Sequence, residues 1–192
     1  YDLIWPRDDD HARVLDAVQS LNPVSVNLKP VIELCDDVVL TLLQREAYEA
    51  NKALLDVGAL DPVLARRLSH GAAISPETYR AACAGLSVLR AETAEKLFET
   101  CEIIALPTMP CATPRVSECE PDSADFSART LYDLSRYTRF VNALGLPAVT
   151  LPLPARDGAM PSSVQLIARH GSGLAILHAA QKLETLLQGT AR

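Results

Sequence analysis

The sequence predicts an α/β fold, and three features point there. Segments with apolar residues at helical spacing alternate along the chain with short segments of strand character. Two of those strands, residues 101–106 and 148–153, are nearly unbroken apolar runs, the pattern of strands covered on both faces. The apolar fraction is 48% while only 5% of residues are aromatic, so the core has to be built from Leu, Val, Ile and Ala. At 192 residues the chain reads as one domain, 1–192.

Taken in order, residues 1–6 (Tyr-Asp-Leu-Ile-Trp-Pro) read as a short strand closed by proline. Asp8, Asp9 and Asp10 offer N-caps to a helix carrying Val14, Leu15, Val18 and Leu21. Val24, Val26 and Leu28 alternate with polar residues, the strand period, until Lys29-Pro30 ends the run. Asp36-Asp37 opens a second helix with Val39, Leu42, Leu43, Ala47, Ala50 and Leu54 on one face. Asp61-Pro62 is an N-cap followed by proline at the first helical position, and His70-Gly71 stops that short helix. Ser75-Pro76-Glu77 starts a helix of about 25 residues through Tyr79, Cys83, Leu86, Leu89, Leu97 and Phe98.

The buried strand 101–106 runs into Pro107-Thr108-Met109-Pro110, where two prolines forbid further regular pairing. From there to Phe126 the chain is rich in Pro, Ser, Asp and Glu and reads as a long loop. Leu131, Leu134, Val141 and Leu144 mark a helix that Gly145 terminates. Strands 148–153 and 163–169 flank a turn at Asp157-Gly158. Ser172 is the expected cap of a last helix with Leu174, Leu177, Ala180, Leu183, Leu186 and Leu187. The chain offers few partners for the edges of its apolar strands, and natural proteins avoid open edges. Part of the domain is therefore expected to lie outside this sequence.

Several functional classes are disfavoured. The net charge is −6 and the 18 basic residues are scattered, so no surface is dedicated to nucleic acid. No apolar run approaches the roughly 20 residues of a membrane span. Residues 1–6 run straight into Arg7-Asp8-Asp9-Asp10, so no signal peptide is expected. Cys35, Cys83, Cys101, Cys111 and Cys119 form neither a disulfide framework nor a C-x-x-C pair. Scattered thiols fit a reducing compartment, and the expectation is a soluble cytoplasmic protein without membrane contact. His11, His70, His170 and His178 are too dispersed for a metal site, and no glycine-rich phosphate loop occurs. Asp122 and Asp125 lack an EF-hand pattern and read as solvated. His170-Gly171-Ser172-Gly173 departs from G-x-S-x-G and reads as a strand break and helix cap. None of Lys29, Lys52, Lys96 and Lys182 follows a serine by three, so Ser-x-x-Lys is absent. Cys111 has no nearby base. No complete catalytic constellation is present, and neither metal nor cofactor is expected.

A series of small motifs in fixed order rises above this background. Residues 102–114 (Glu-Ile-Ile-Ala-Leu-Pro-Thr-Met-Pro-Cys-Ala-Thr-Pro) resemble the amidase-signature pattern of an acidic residue, an apolar strand and Pro-Thr-x-Pro. Residues 138–152 (Thr-Arg-Phe-Val-Asn-Ala-Leu-Gly-Leu-Pro-Ala-Val-Thr-Leu-Pro) resemble the family's T-x-x-x-N-x-x-G-x-P-A-x-[ST]-x-P. Residues 161–168 (Pro-Ser-Ser-Val-Gln-Leu-Ile-Ala) look like its P-x-G-x-Q-L-I-G strand. Glu46-Ala47, Tyr79 and Ala82 are similar but weaker matches. Gln165, in an alternating strand, can point its amide toward backbone that needs partners. Departures fall at Pro154, Ser163 and Ala168, where the family has glycine. They bear on local backbone geometry rather than on the fold.

The resemblance implies the C-terminal part of a mixed-sheet α/β/α amidase-signature fold. Family members cleave amide bonds with a Ser–cis-Ser–Lys triad and no metal, and both serines and the lysine lie in an N-terminal half that nothing here matches. The implied function is part of an amidase hydrolysing a carboxylic amide to an acid plus ammonia or an amine, through a serine outside this chain. By family position Thr108, Met109, Pro110, Thr138 and Asn142 are the candidates to line the pocket for a small-molecule amide. For each, loop packing or a helix-face contact is an equally good structural account. Ser87 stands eight residues after Tyr79, where glutamine-using amidotransferase subunits carry arginine, which points away from the tRNA-dependent branch. The expected assemblies are a homodimer or pairing with the missing N-terminal half. Two other readings stay open: a catalytically inactive, truncated amidase-like module acting in protein interaction, and an unrelated α/β binding protein. A sheet that fails to place 101–106 beside 148–153 would count for the latter.

Overall fold

The structure, a computed structural model, describes residues 9–154, 160 and 162–190. The strand read over 1–6 and the turn at Asp157-Gly158 lie outside them. Three strands form one sheet: β1 (Ile103–Pro107), β2 (Ala148–Pro152) and β3 (Ser163–Ala168). Their order is β1-β3-β2, and both pairings are antiparallel.

Strand 101–106 does not lie beside 148–153, because β3 stands between them. The three described strands form an antiparallel part of the sheet. Proline accounts for the order. β1 and β2 both end in proline, Pro107 and Pro152, whereas β3 contains none. A central strand needs every N–H, so the proline-free strand takes the middle. The register puts both prolines where the backbone faces away from β3. The β2–β3 bonds run between Leu153 N–H and Ser162 C=O and between Ala168 N–H and Pro147 C=O, two steps apart in phase with Leu151 and Val149.

Helices cover the sheet on both faces, giving the α/β/α layering. On one face α2 (Lys29–Asp56), α4 (Pro76–Lys96) and α7 (Arg136–Leu144) bury Ile32, Ala94 and Phe140 with Ile104, Leu106 and Ile167 of the sheet. On the other, α1 (Asp9–Val18) and α8 (Gly173–Thr190) bury Val14, Val18, Ile176 and Leu183 with Val164 and Leu166. The two-residue period of β3 thus feeds both cores, with Val164 and Ile167 completely inaccessible.

Residues 24–28 form no strand, and Val24 is 59% exposed. The alternation there reflects Leu28 buried in the core and Val26 half-buried against it. α2 begins at Lys29, seven residues before the Asp36-Asp37 start that the sequence suggests. Pro30 accounts for the difference, since its fixed φ suits a helix's first turn as well as it suits a strand's end. Asp36 is consequently an interior helical residue, and it is buried. Two other caps fall where expected. Asp61 accepts the N–H groups of Val63 and Leu64 at 2.9 and 3.2 Å ahead of α3 (Pro62–Ser69). Ser75 accepts that of Thr78 at 3.0 Å ahead of α4, which runs 21 residues.

The 3₁₀ turn His70–Ala73 follows α3, and Gly71 has no left-handed φ, unlike Gly58, Gly145 and Gly171. Its role is close approach: a Cβ there would lie 2.1 Å from the Gln44 carbonyl oxygen and 2.5 Å from Tyr48 Cβ on α2. The long loop after β1 holds one short helix, α5 (Val116–Cys119), and α6 (Ala128–Asp133) follows it. The single helix expected before Gly145 is therefore two, α6 and α7, broken at Leu134 and Ser135. Gly145 ends α7 with φ +69°, as the sequence implies. Gly171 (φ +82°) turns the chain after β3, and Ser172 contributes its carbonyl to the Ile176 N–H of α8.

Candidate functional site

The candidate residues gather at the end of β1 and along α7. Thr108 leaves β1 with its N–H on the Ser163 carbonyl at 3.1 Å and its hydroxyl oxygen accepting from the Ser163 hydroxyl at 2.8 Å. Ser163, one of the departures from family glycine, is thereby tied to the Pro-Thr-Met-Pro turn. Pro110 is completely buried and Met109 half-buried, so this turn is anchored rather than loose. On α7 the Thr138 hydroxyl donates to the Ser135 carbonyl at 2.9 Å, a local bond that occupies it. Asn142 is exposed, and its side-chain amide makes no hydrogen bond among the described residues.

Gln165 joins the two groups. Its backbone pairs with Leu106, two residues before Thr108, while its buried amide donates to the Tyr137 carbonyl at 3.1 Å, next to Thr138. This glutamine does serve backbone that needs a partner, as its place in an alternating strand suggests. No hydrogen bond links Thr108 directly to Thr138 or Asn142 among the described residues.

Beside this site lies a buried charge network that sequence reasoning misses. Asp36 of α2 is 8% exposed; it accepts a hydrogen bond from Arg139 Nε at 3.0 Å and pairs by charge with Arg136, whose Nε lies 3.1 Å away, both from α7. Arg136 Nη1 also lies 3.5 Å from Asp133, whose carboxylate takes Arg129 at 2.7 Å. Arg139, 7% exposed, stacks 3.8 Å over the Tyr132 ring and donates to the Tyr132 carbonyl and, at 2.8 Å, to the Ser135 hydroxyl. Its Nη2 is buried and finds no acceptor among the described residues. Two arginines three apart on a helix are the legible signal. The carboxylate that Arg139 meets lies 103 residues away, in a sequence context that suggests a cap.

A second pairing joins weaker motif residues. The Tyr79 hydroxyl donates to Glu46 at 3.0 Å, pinning α4 to α2, and that carboxylate above all pushes the Tyr79 pKa up to about 12. Ser87 is exposed and its hydroxyl returns to the Cys83 carbonyl at 3.0 Å. A cavity of about 790 Å³ opens elsewhere, beside the start of β1, lined by Val14, Leu21, Val26, Ile103 and Leu183. None of the five candidate residues borders it.

His70, His170 and His178 are exposed, and among the described residues none makes a hydrogen bond to a serine, threonine or cysteine, so no hydroxyl or thiol there is paired with an imidazole. Cys35 is sealed in the core, and burial first, then the adjacent Asp36 carboxylate, pushes its thiol up to about 11. Such a thiol is neither nucleophile nor ligand near neutrality. Among the described residues no three His, Cys, Asp or Glu side chains converge on a metal position, and no helix is long and apolar enough to cross a membrane.

The profile of the Amidase family matches residues 17–177. A glutamyl-tRNA(Gln) amidotransferase subunit from Neisseria meningitidis serogroup A is 36% identical over 117 residues, which is 61% of this chain and 22% of that protein. The corresponding protein of Thermoanaerobacter pseudethanolicus is 34% identical over 90 residues, 47% of this chain and 17% of the relative. Among solved structures, Kluyveromyces lactis allophanate hydrolase superposes with a TM-score of 0.82 at 19% identity, covering 95% of this chain and 30% of that one. The 6-aminohexanoate cyclic dimer hydrolase complexed with substrate gives 0.70 at 20% identity, over 96% and 43%. These structural likenesses establish a shared fold, and the matched segment is less than a quarter of the curated relatives' length.

Proposed function

The chain belongs to the Amidase family, and from that premise we propose that it is part of an amidase. The reaction is hydrolysis of a carboxylic amide to an acid plus ammonia or an amine, through a serine nucleophile outside these 192 residues. The observation that carries this is the profile match across 17–177 in a chain without a nucleophile–base pair among its described residues. In the complete enzyme a second serine and a neutral lysine, as the resemblance implies, would activate that nucleophile, and backbone N–H groups would hold the oxyanion.

This segment supplies sheet, outer helices and part of the acyl pocket, lined by Thr108, Met109, Pro110, Thr138 and Asn142. Asn142 is the one of these with a side-chain amide open for a substrate. The curated relatives are amidotransferase subunits. Ser87 in place of the arginine that glutamine-using subunits carry favours simple hydrolysis over transfer. The enzyme works in the cytoplasm, and the segment's partner is the N-terminal half of the same fold.

The test is intact mass together with amide hydrolysis by the protein purified from its source. A mass at least double 20.8 kDa with ammonia released from a simple aliphatic or aryl amide is the expected result. A mass near that value with no ammonia release would instead favour an inactive interaction module. In the active protein, Asn142→Ala is expected to raise KM more than it lowers kcat.

A further inference from the structure

The Ser163 hydroxyl decides what Thr108 can do. Pro107 pairs with Val164, so one step further along the register Thr108 stands opposite Ser163, and its N–H donates to the Ser163 carbonyl at 3.1 Å. By the two-residue period of a strand, Thr108 follows Ile104 and Leu106 onto the face that α7 covers. Ser163 shares that face with Gln165 and Ile167. Side chains directly opposite on one face lie within hydrogen-bond reach, and here the Ser163 hydroxyl donates to Thr108 Oγ1 at 2.8 Å. A hydroxyl has one proton to give, and accepting from Ser163 leaves that of Thr108 uncommitted. Among the described residues it meets no acceptor. Accepting a bond also polarises the Thr108 O–H and makes it the better donor. Both residues are half-buried. At position 163 the family pattern has glycine, which can make no such bond.

We propose that Thr108 donates its hydroxyl proton to an oxygen in the acyl part of the substrate, with Ser163 as the residue that positions it. This rests on the amidase reading above and narrows its substrate. The class is amides whose acyl group carries an uncharged hydrogen-bond acceptor, an ether, ketone or hydroxyl oxygen. The acceptor is uncharged because none of Thr108, Met109, Pro110, Thr138 and Asn142 carries a charge, and the guanidinium groups of Arg136 and Arg139 are committed to Asp36. The other candidates leave this role to Thr108. The Thr138 hydroxyl gives its proton to the Ser135 carbonyl at 2.9 Å. Met109 and Pro110 have no side-chain proton to give. The Asn142 amide both donates and accepts, so it suits either kind of polar group. Thr108, already an acceptor toward Ser163, turns a proton to the ligand and so selects for an acceptor. A bond that merely fastened β1 to β3 would affect all substrates alike.

The test uses the protein from its source, and variants made in the same full polypeptide, on pairs of amides of equal length. Methoxyacetamide is set against butanamide, and β-methoxypropanamide against pentanamide. Each ratio of kcat/KM is taken on one preparation, so any loss of folded protein cancels. The better ether amide is expected to exceed its hydrocarbon partner by about fivefold or more, the effect of one neutral hydrogen bond in a binding site. Thr108→Val keeps the shape without the hydroxyl and is expected to bring that ratio within about twofold of unity. Ser163→Ala is expected to lower it at least about twofold, chiefly through KM for the ether amide, while Ser163→Thr keeps the hydroxyl and retains it. In a Thr108→Val background Ser163→Ala should not move the ratio further. Ratios near unity for both pairs in the unaltered protein, or a ratio that survives Thr108→Val, would overturn the inference while hydrolysis itself upholds the amidase reading. If Ser163→Ala slows both members of a pair equally, the positioning role of Ser163 is refuted. Faster hydrolysis of succinamate than of levulinamide would refute an uncharged acceptor. If no amide is hydrolysed, the amidase reading falls and this inference falls with it.

Discussion

Asp36 shows how much a single buried carboxylate can hold together. It ties α2 to α7 through two arginines; without it Arg139 would keep its burial and lose its counter-charge, and Arg136 would be left with Asp133 alone. Removing one partner of a buried pair costs about 3–5 kcal/mol, more than the pair itself contributes. Asp36→Ala is therefore expected to lower unfolding free energy by about that amount in urea titrations. Replacing Asp36, Arg136 and Arg139 together by apolar residues should cost less than the single change. Its neighbour Cys35 sets a pH dependence. The folded thiol titrates near 11 against an ordinary value of 9.0, so the unfolded chain loses its proton first. Stability is fully present below pH 9 and falls as pH rises toward 11, by roughly 2 kcal/mol. Cys35→Ala should flatten the stability profile across that window even though it lowers the plateau.

At the scale of elements, caps and terminators are legible because they are local. Asp61 with Pro62, Ser75 with Pro76, and Gly145 act on backbone within about four residues of themselves, so their chemistry can be read from neighbours in sequence. Where sequence and structure part, a local signal has two meanings. Lys29-Pro30 closes a strand as readily as it opens a helix, and α2 takes the second course. Gly71 looks like a helix stop in the sequence, yet its φ is ordinary and its lack of a side chain matters because α2 runs against it. Gly71→Ala would force a methyl onto the Gln44 carbonyl, an overpacking that should cost at least about 1–3 kcal/mol. Thermal unfolding of that variant checks this, and a change below about 0.5 kcal/mol would mean that the turn simply shifts aside.

At the scale of the whole molecule, β3 makes one cooperative unit of two cores. Ile167 seals the α2/α7 side and Val164 the α1/α8 side, three residues apart on the same strand. Ile167→Ala is expected to cost about 2–5 kcal/mol. It should shift helix content by circular dichroism and the thiol exposure of Cys35 at one common midpoint. Two separated midpoints would mean that the layers unfold independently.

The sequence by itself determined the α/β class, the helix caps, the two apolar strands and the family motifs, since all of these are carried by near neighbours or by fixed spacing. Tertiary structure alone decided that β3 lies in the middle of the sheet, that Asp36 meets Arg139 across 103 residues, and that Ser163 meets Thr108 across 55. These depend on which surfaces the chain brings together. A proline that cannot donate a hydrogen bond, or a carboxylate that must find a counter-charge, limits the choices, but only packing selects among them.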